Sequence, residues 1–151
     1  MTNNRSVHRM LDLIQMILRG EAPQPPVATL IGFRLTAAQP GEAVVEFEAS
    51  ERHANPMGTF YGGILCDIAD AAMGLAYAST LEGEETFTTL ELKINFLKPV
   101  LKGKLKATGK VVKRGRTIGL VECDVINDKQ ELVARASSTC MTLRGEEAQG
   151  R

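Results

Sequence analysis

From Gly62 to about Thr80 the chain is apolar or small at nearly every position, and its only charges are two carboxylates, Asp67 and Asp70. The spacing predicts one long helix that is apolar on most of its faces. Such a helix cannot rest on a surface; something larger than itself has to wrap it. A carboxylate on a core helix costs several kcal/mol of desolvation unless it is paired or used. Both aspartates are therefore candidate working acids.

The rest of the sequence supplies the wrapping. Ala43, Val45 and Phe47 alternate with Glu42, Glu46 and Glu48, the period of a half-exposed strand, with Val44 as the exception. A further strand is expected over 32–38, closed by the Pro40-Gly41 turn. Over 86–96 the alternation puts Leu90, Leu92, Ile94 and Phe96 on one face and Thr89, Glu91, Lys93 and Asn95 on the other. Strands over 104–112, 117–127 and 132–143 follow, separated by short turn signals, so the last three should form an antiparallel meander. The expected fold class is α+β: about six antiparallel strands in a curved sheet around one central helix. A lone sheet of this kind keeps free edges and faces, which makes self-association an expectation.

With 151 residues the chain suits a single domain. We divide it into an N-terminal helix and proline-rich linker (1–26), the main domain (27–144) and a frayed polar tail (145–151). The first helix, His8 to Arg19, is amphipathic through Leu11, Ile14, Ile17 and Leu18, and its charges distinguish it from a signal peptide. A formal net charge of +0 argues against nucleic acid as a partner. No stretch reaches the roughly 18 uninterrupted apolar residues needed to cross a bilayer, so no membrane partner is expected. Cys66, Cys123 and Cys140 are odd in number and lack metal-type spacing, which points to reduced thiols and a cytoplasmic setting.

The start of the central helix carries the chemistry. A helix N-terminus presents unpaired N–H groups and partial positive charge, and glycine lets a ligand approach them. Gly62 is the candidate donor to an oxyanion; the alternative is that Gly62-Gly63 is only a turn followed by close helix–sheet packing. Asp70 lies eight residues further on, roughly 12 Å along the axis, too far for its side chain to reach a group held at Gly62. If both serve one site, they come from two chains, and the protein is a dimer with sites at its interface. Asp67 serves as an alternative acid, or as a cap or ion-pair partner. Asn55 could bind a carbonyl or water, or close an Asx turn before Pro56. His53 reads as a loop residue. No Ser–His–acid set is visible, and two distant histidines make no metal site.

Taken together, His53-Ala54-Asn55-Pro56-Met57-Gly58-Thr59-Phe60-Tyr61-Gly62-Gly63, Asp70, and the run from Thr89 to Pro99 resemble the hotdog-fold acyl-CoA thioesterases of the phenylacetate-degradation (PaaI-like) type. The resemblance covers residues 30 to 143. It implies an antiparallel sheet around a central helix, assembly as a homodimer or homotetramer, and acyl-CoA as substrate with no separate cofactor and no metal. It assigns the oxyanion N–H to Gly62, the acid to Asp70, the loop amide to Asn55 and a water-orienting hydroxyl to Thr89, or Thr88 if the alignment slips. His53, Tyr61 and Gly63 would border the substrate. This chain has Tyr61 where the family usually has histidine, which bears on rate and substrate choice. The CoA phosphates need cations; Lys113, Arg114 and Arg116 form the best local patch, with Lys98 and Lys102 weaker. Met73, Tyr77, Phe60 and Phe87 are expected along the acyl pocket. A non-catalytic acyl-CoA-binding module and an acyl-CoA hydratase are the alternatives; a hydratase would want a histidine paired with the acid.

Overall fold

The computed structural model describes residues 8–150. The first seven residues of the expected N-terminal segment, and Arg151 of the expected tail, lie outside the described residues. In chain order the elements are α1 (Arg9–Leu18), α2 (Pro26–Ile31), β1 (Arg34–Gln39), β2 (Glu42–Ala49), a 3-10 turn (Glu51–His53), α3 (Gly62–Ala78), β3 (Thr86–Phe96), β4 (Gly103–Arg114), β5 (Ile118–Asn127), β6 (Leu132–Leu143) and a closing 3-10 turn (Gly145–Ala148). The six strands form one sheet in the order β1-β2-β4-β5-β6-β3, with every pair antiparallel. Strands β4, β5 and β6 are the expected meander. This is the hotdog fold, a sheet curved around α3.

α3 is the core. Leu65, Ile68, Ala69, Ala72, Met73, Ala76 and Tyr77 are buried against the inner faces of β2, β4 and β5. At Gly109 on β4 a Cβ would collide with the Ala72 carbonyl, so the helix backbone lies directly on the sheet there. Tyr77 is fully buried. Its ring fills the space over Gly119 and its hydroxyl meets Thr142 Oγ1 at 2.8 Å. The end of α3 is tied to the β1–β2 turn by Ser79, whose hydroxyl accepts from the Gly41 N–H at 2.8 Å.

α1 covers the start of the sheet. It buries Ile14, and the Gln15 amide donates to the Ala38 carbonyl at 3.1 Å. After the prolines comes a second short helix, α2, with Pro26 in its first turn and Gly32 ending it in the left-handed region at φ 101°. Among the described residues no helix is long and apolar enough to cross a membrane.

Two expectations need correction. Asp67 and Asp70 are not in the core of the single chain. The sheet wraps α3 incompletely, and both aspartates are exposed on the open flank, on the same stripe as the half-buried Gly63 and Cys66. The second correction concerns β3. Thr89 pairs with Cys140, but the next pair is Glu91 with Thr139, leaving Leu90 as a bulge. The extra residue shifts the alternation by one. Thr89 therefore shares the helix-facing side with Leu92 and Ile94, opposite to the expected face, while Leu90 is turned outward and exposed.

Candidate active site

The approach to α3 is built by residues 50–61. The His53 carbonyl accepts the Tyr61 N–H at 2.8 Å, and the Val100 carbonyl accepts the Phe60 N–H at 2.8 Å. His53 is a structural residue here. Its Nδ1 accepts the Ser50 backbone N–H at 3.0 Å, and its ring packs edge-on against Phe47 and Phe60. Because that N–H can only donate, the neutral ring carries its hydrogen on Nε2. Asn55 closes the next turn: Oδ1 accepts from Met57 N and Thr59 N, and Nδ2 donates to Thr59 Oγ1 at 2.9 Å. The Asx-turn reading thus describes its geometry, and one Nδ2 hydrogen is left over.

α3 then starts at Gly62 after the extended residue Tyr61, with no side-chain cap. The first two amides of a helix have no partner within it, and those of Gly62 and Gly63 find none elsewhere among the described residues. Two aromatic rings lie on this bare turn. Phe96, at the end of β3, points its ring tip at Gly62, with Cζ 3.0 Å from where a Cβ would stand. The Tyr61 ring lies against Gly63, with Cε1 2.5 Å from the corresponding position. Both rings remain more than half exposed.

β3 runs antiparallel to α3, so Phe96 meets the helix start and Phe87 meets Gly74 and Tyr77 near its end. Between them lie Thr89 and Asp70. The Thr89 hydroxyl is 3.9 Å from Cys140 Sγ, and Cys140 in turn lies 3.9 Å from Ser138 Oγ. The Cys140 thiol is pushed up mainly by burial, and Asp70 is near enough to add to that shift. Asp70 is itself held above the usual carboxylate range, first by desolvation and then by the charge of Asp67. Asp67 is raised by desolvation alone. Cys123, buried within the sheet, is pushed up to about 12 by desolvation and is chemically quiet.

The structure thus pairs Thr89 with Cys140 and sets Asp70 of the same chain within electrostatic reach of that thiol. It keeps Gly62 apart at the far end of the same helix flank. Thr88 pairs with Met141 and faces away from α3. Met73, Tyr77 and Phe60, expected along a pocket, are packed in the core of the chain instead; Phe87 is half-buried between α3 and the sheet. Two residues were not singled out for this site. Phe96 read as an ordinary apolar strand position. Cys140 reads from sequence only as a reduced thiol, and the β3–β6 register reveals its neighbour.

The cations divide. Arg114 is engaged within the chain: it donates to Thr80 Oγ1 and to the Gly115 carbonyl, pairs with Glu85 at 3.3 Å, and lies 4.9 Å over the Tyr77 ring. Lys98 pairs with Glu131 at 2.8 Å. Lys113 and Arg116 are exposed and have no ion pair among the described residues. Near this turn, at the opposite end of α3 from Gly62, a groove of about 840 Å³ runs between α1 and residues 83–86. Met10, Leu13 and Met16 line it, together with Thr86.

The model of the thioesterase superfamily matches residues 57–134, which include the α3 turn, Asp70, Thr89, β4 and β5. A Saccharolobus solfataricus protein with an esterase designation is 38% identical over 104 residues, 69% of this chain and 74% of its own length. Human acyl-coenzyme A thioesterase 13 is 27% identical over 107 residues, 70% of this chain and 76% of its own. The solved structure of a phenylacetic acid degradation-related protein from Ralstonia eutropha superposes with a TM-score of 0.77 at 33% identity, over 85% of this chain and 98% of the other.

Proposed function

We propose that this chain, which belongs to the thioesterase superfamily, hydrolyses an acyl-CoA thioester to the free acid and CoA. One observation carries the reading: the amides of Gly62 and Gly63, unpartnered among the described residues, and the carboxylate of Asp70 lie along the flank of α3 that the sheet leaves open. The similarity to a relative named as an acyl-CoA thioesterase supports the substrate class.

Gly62 N–H receives the thioester oxygen and stabilises the charge that grows there when the carbonyl is attacked. Asp70 acts as general base on water, or as nucleophile. As base, Asp70 takes a proton from water while the new C–O bond forms; the oxyanion then collapses, the C–S bond breaks and the departing CoA thiolate takes that proton. As nucleophile, Asp70 displaces the CoA thiolate to form an acyl-aspartyl anhydride, which water hydrolyses to the free acid and the restored carboxylate. Thr89, and the spare amide hydrogen of Asn55, orient the water or the carbonyl. Lys113 and Arg116 supply charge for the CoA phosphates, with Arg114 fixing their turn. CoA enters as part of the substrate, and the reaction needs no further cofactor.

Because eight residues separate Gly62 from Asp70, roughly 12 Å along the helix, the site requires Asp70 of the partner subunit. The exposed edge of β3 supports such pairing. It is an eleven-residue, proline-free edge strand next to the open helix flank, with Leu90 and Phe96 exposed along it. A two-fold axis at that edge reverses the second α3, so that one chain's Gly62 end moves toward the other's Asp70. The active form is accordingly a homodimer, alone or paired into a homotetramer, and the three free cysteines suit the cytoplasm.

The test is thiol release from a panel of acyl- and aroyl-CoAs by the wild type and by Asp70→Asn. Hydrolysis that the substitution abolishes is the expected result. Binding without hydrolysis would make the protein an acyl-CoA-binding module.

A further inference from the structure

We infer that Phe96 and Tyr61 select the acyl group by flanking the carbonyl-binding amides, and that they exclude acyl groups branched at the carbon next to the carbonyl. This inference rests on the acyl-CoA reading above.

Residues 62 and 63 carry no side chains, and aromatic rings occupy the space that side chains would take. The tip of Phe96 stands 3.0 to 3.5 Å from the Cβ position of Gly62, and the edge of Tyr61 stands 2.5 to 3.4 Å from that of Gly63. Consecutive helical residues project about 100° apart. The two rings therefore flank the first turn of α3 on different sides, with its free amides between them. Neither ring is there to fill the core, since Phe96 is 55% and Tyr61 57% exposed. Both are held against backbone that has been cleared for them. Leu97 and Met57, also exposed, extend the apolar rim.

A carbonyl oxygen bound at Gly62 lies about 2.9 Å from the nitrogen. Its α-carbon is then only two covalent bonds further away, still between the rings. An unbranched or planar α-carbon passes through that gap. A second substituent on it needs volume that a ring already fills. Phe96 is the stronger determinant because it reaches in from another element, the end of β3, and is free to differ in size without altering α3.

The experiment compares kcat/KM for two matched pairs, butyryl- against isobutyryl-CoA and phenylacetyl- against 2-phenylpropionyl-CoA, in the wild type and in Phe96→Ala. The expected result is a shift of about tenfold in favour of the branched member in Phe96→Ala, the scale at which a pocket discriminates one methyl group. Phe96→Leu is expected to shift the ratio in the same direction by less, and it serves if the alanine variant does not fold. An unchanged ratio in both variants, with hydrolysis retained, overturns this inference alone. Failure of the wild type to hydrolyse any member of the acyl- and aroyl-CoA panel overturns the acyl-CoA reading and this inference with it.

Discussion

Thr89 faces Cys140 across the β3–β6 pair, with its hydroxyl 3.9 Å from the sulfur, and it looks toward α3 because Leu90 is squeezed out of the ladder. This placement puts a half-buried hydroxyl next to Cys140, whose thiol feels the charge of Asp70. Thr89→Val keeps the shape and removes the hydroxyl. We expect kcat to fall about tenfold, the equivalent of one hydrogen bond in the transition state, with little change in melting temperature. A large stability loss with unchanged kcat would make Thr89 a packing residue only.

Asp70 must be ionised to act, and its carboxyl titrates above the usual range through desolvation and through Asp67. Activity should therefore fall on the acid side at a pH above that of an ordinary aspartate. Asp67→Asn removes the second cause and should move that limb of the kcat/KM profile to lower pH. A limb that stays in place, or moves up, would separate Asp67 from the working acid.

The same shift has a consequence for stability. A carboxyl whose folded-state pKa is raised favours folding less when ionised. The penalty is absent below the unfolded value of 3.8, grows as pH rises through the folded value, and is complete above it. Asp70→Asn should thus be at least as stable as the wild type at neutral pH while losing activity, and the advantage should vanish in acid. Chemical denaturation at several pH values checks the sign.

Lys113 and Arg116 are exposed, whereas Arg114 is bound to Glu85, Thr80 and the Tyr77 ring. Replacing Lys113 and Arg116 together by alanine should raise KM for acyl-CoA, weaken its dependence on salt, and leave KM for a short pantetheine thioester lacking the nucleotide unaltered. Arg114→Ala should chiefly lower stability.

Most of the fold was legible because each element follows a simple period. The apolar run from Gly62 reads as a helix in need of a wrapper, and β2, β4, β5 and β6 alternate in step with the sheet. The bulge was not legible: the run from Leu90 to Phe96 alternates well, and only pairing to β6 shows that Thr89 belongs to the inner face. The exposure of Asp70 was hidden for a related reason. Composition marks a helix as apolar, but it does not say which flank the sheet leaves uncovered. Asn55 and His53 stood out as polar groups near the helix start, yet most of their hydrogen-bonding capacity goes to the loop itself. Phe96 became visible as a site residue only through its contact with Gly62.

The central claim is that Gly62 of one chain and Asp70 of another serve one reaction, and subunit mixing tests it most directly. Gly62→Pro deletes the amide hydrogen at a helix position that tolerates proline, its ring pushing the tip of Phe96 aside, and Asp70→Asn removes the base; each homodimer should be inactive. Random exchange in an equal mixture puts half of the dimers in the mixed form, each with one intact site. The account predicts recovery of about a quarter of wild-type activity for such a two-fold interface. A mixture that exchanges subunits and remains inactive would contradict it.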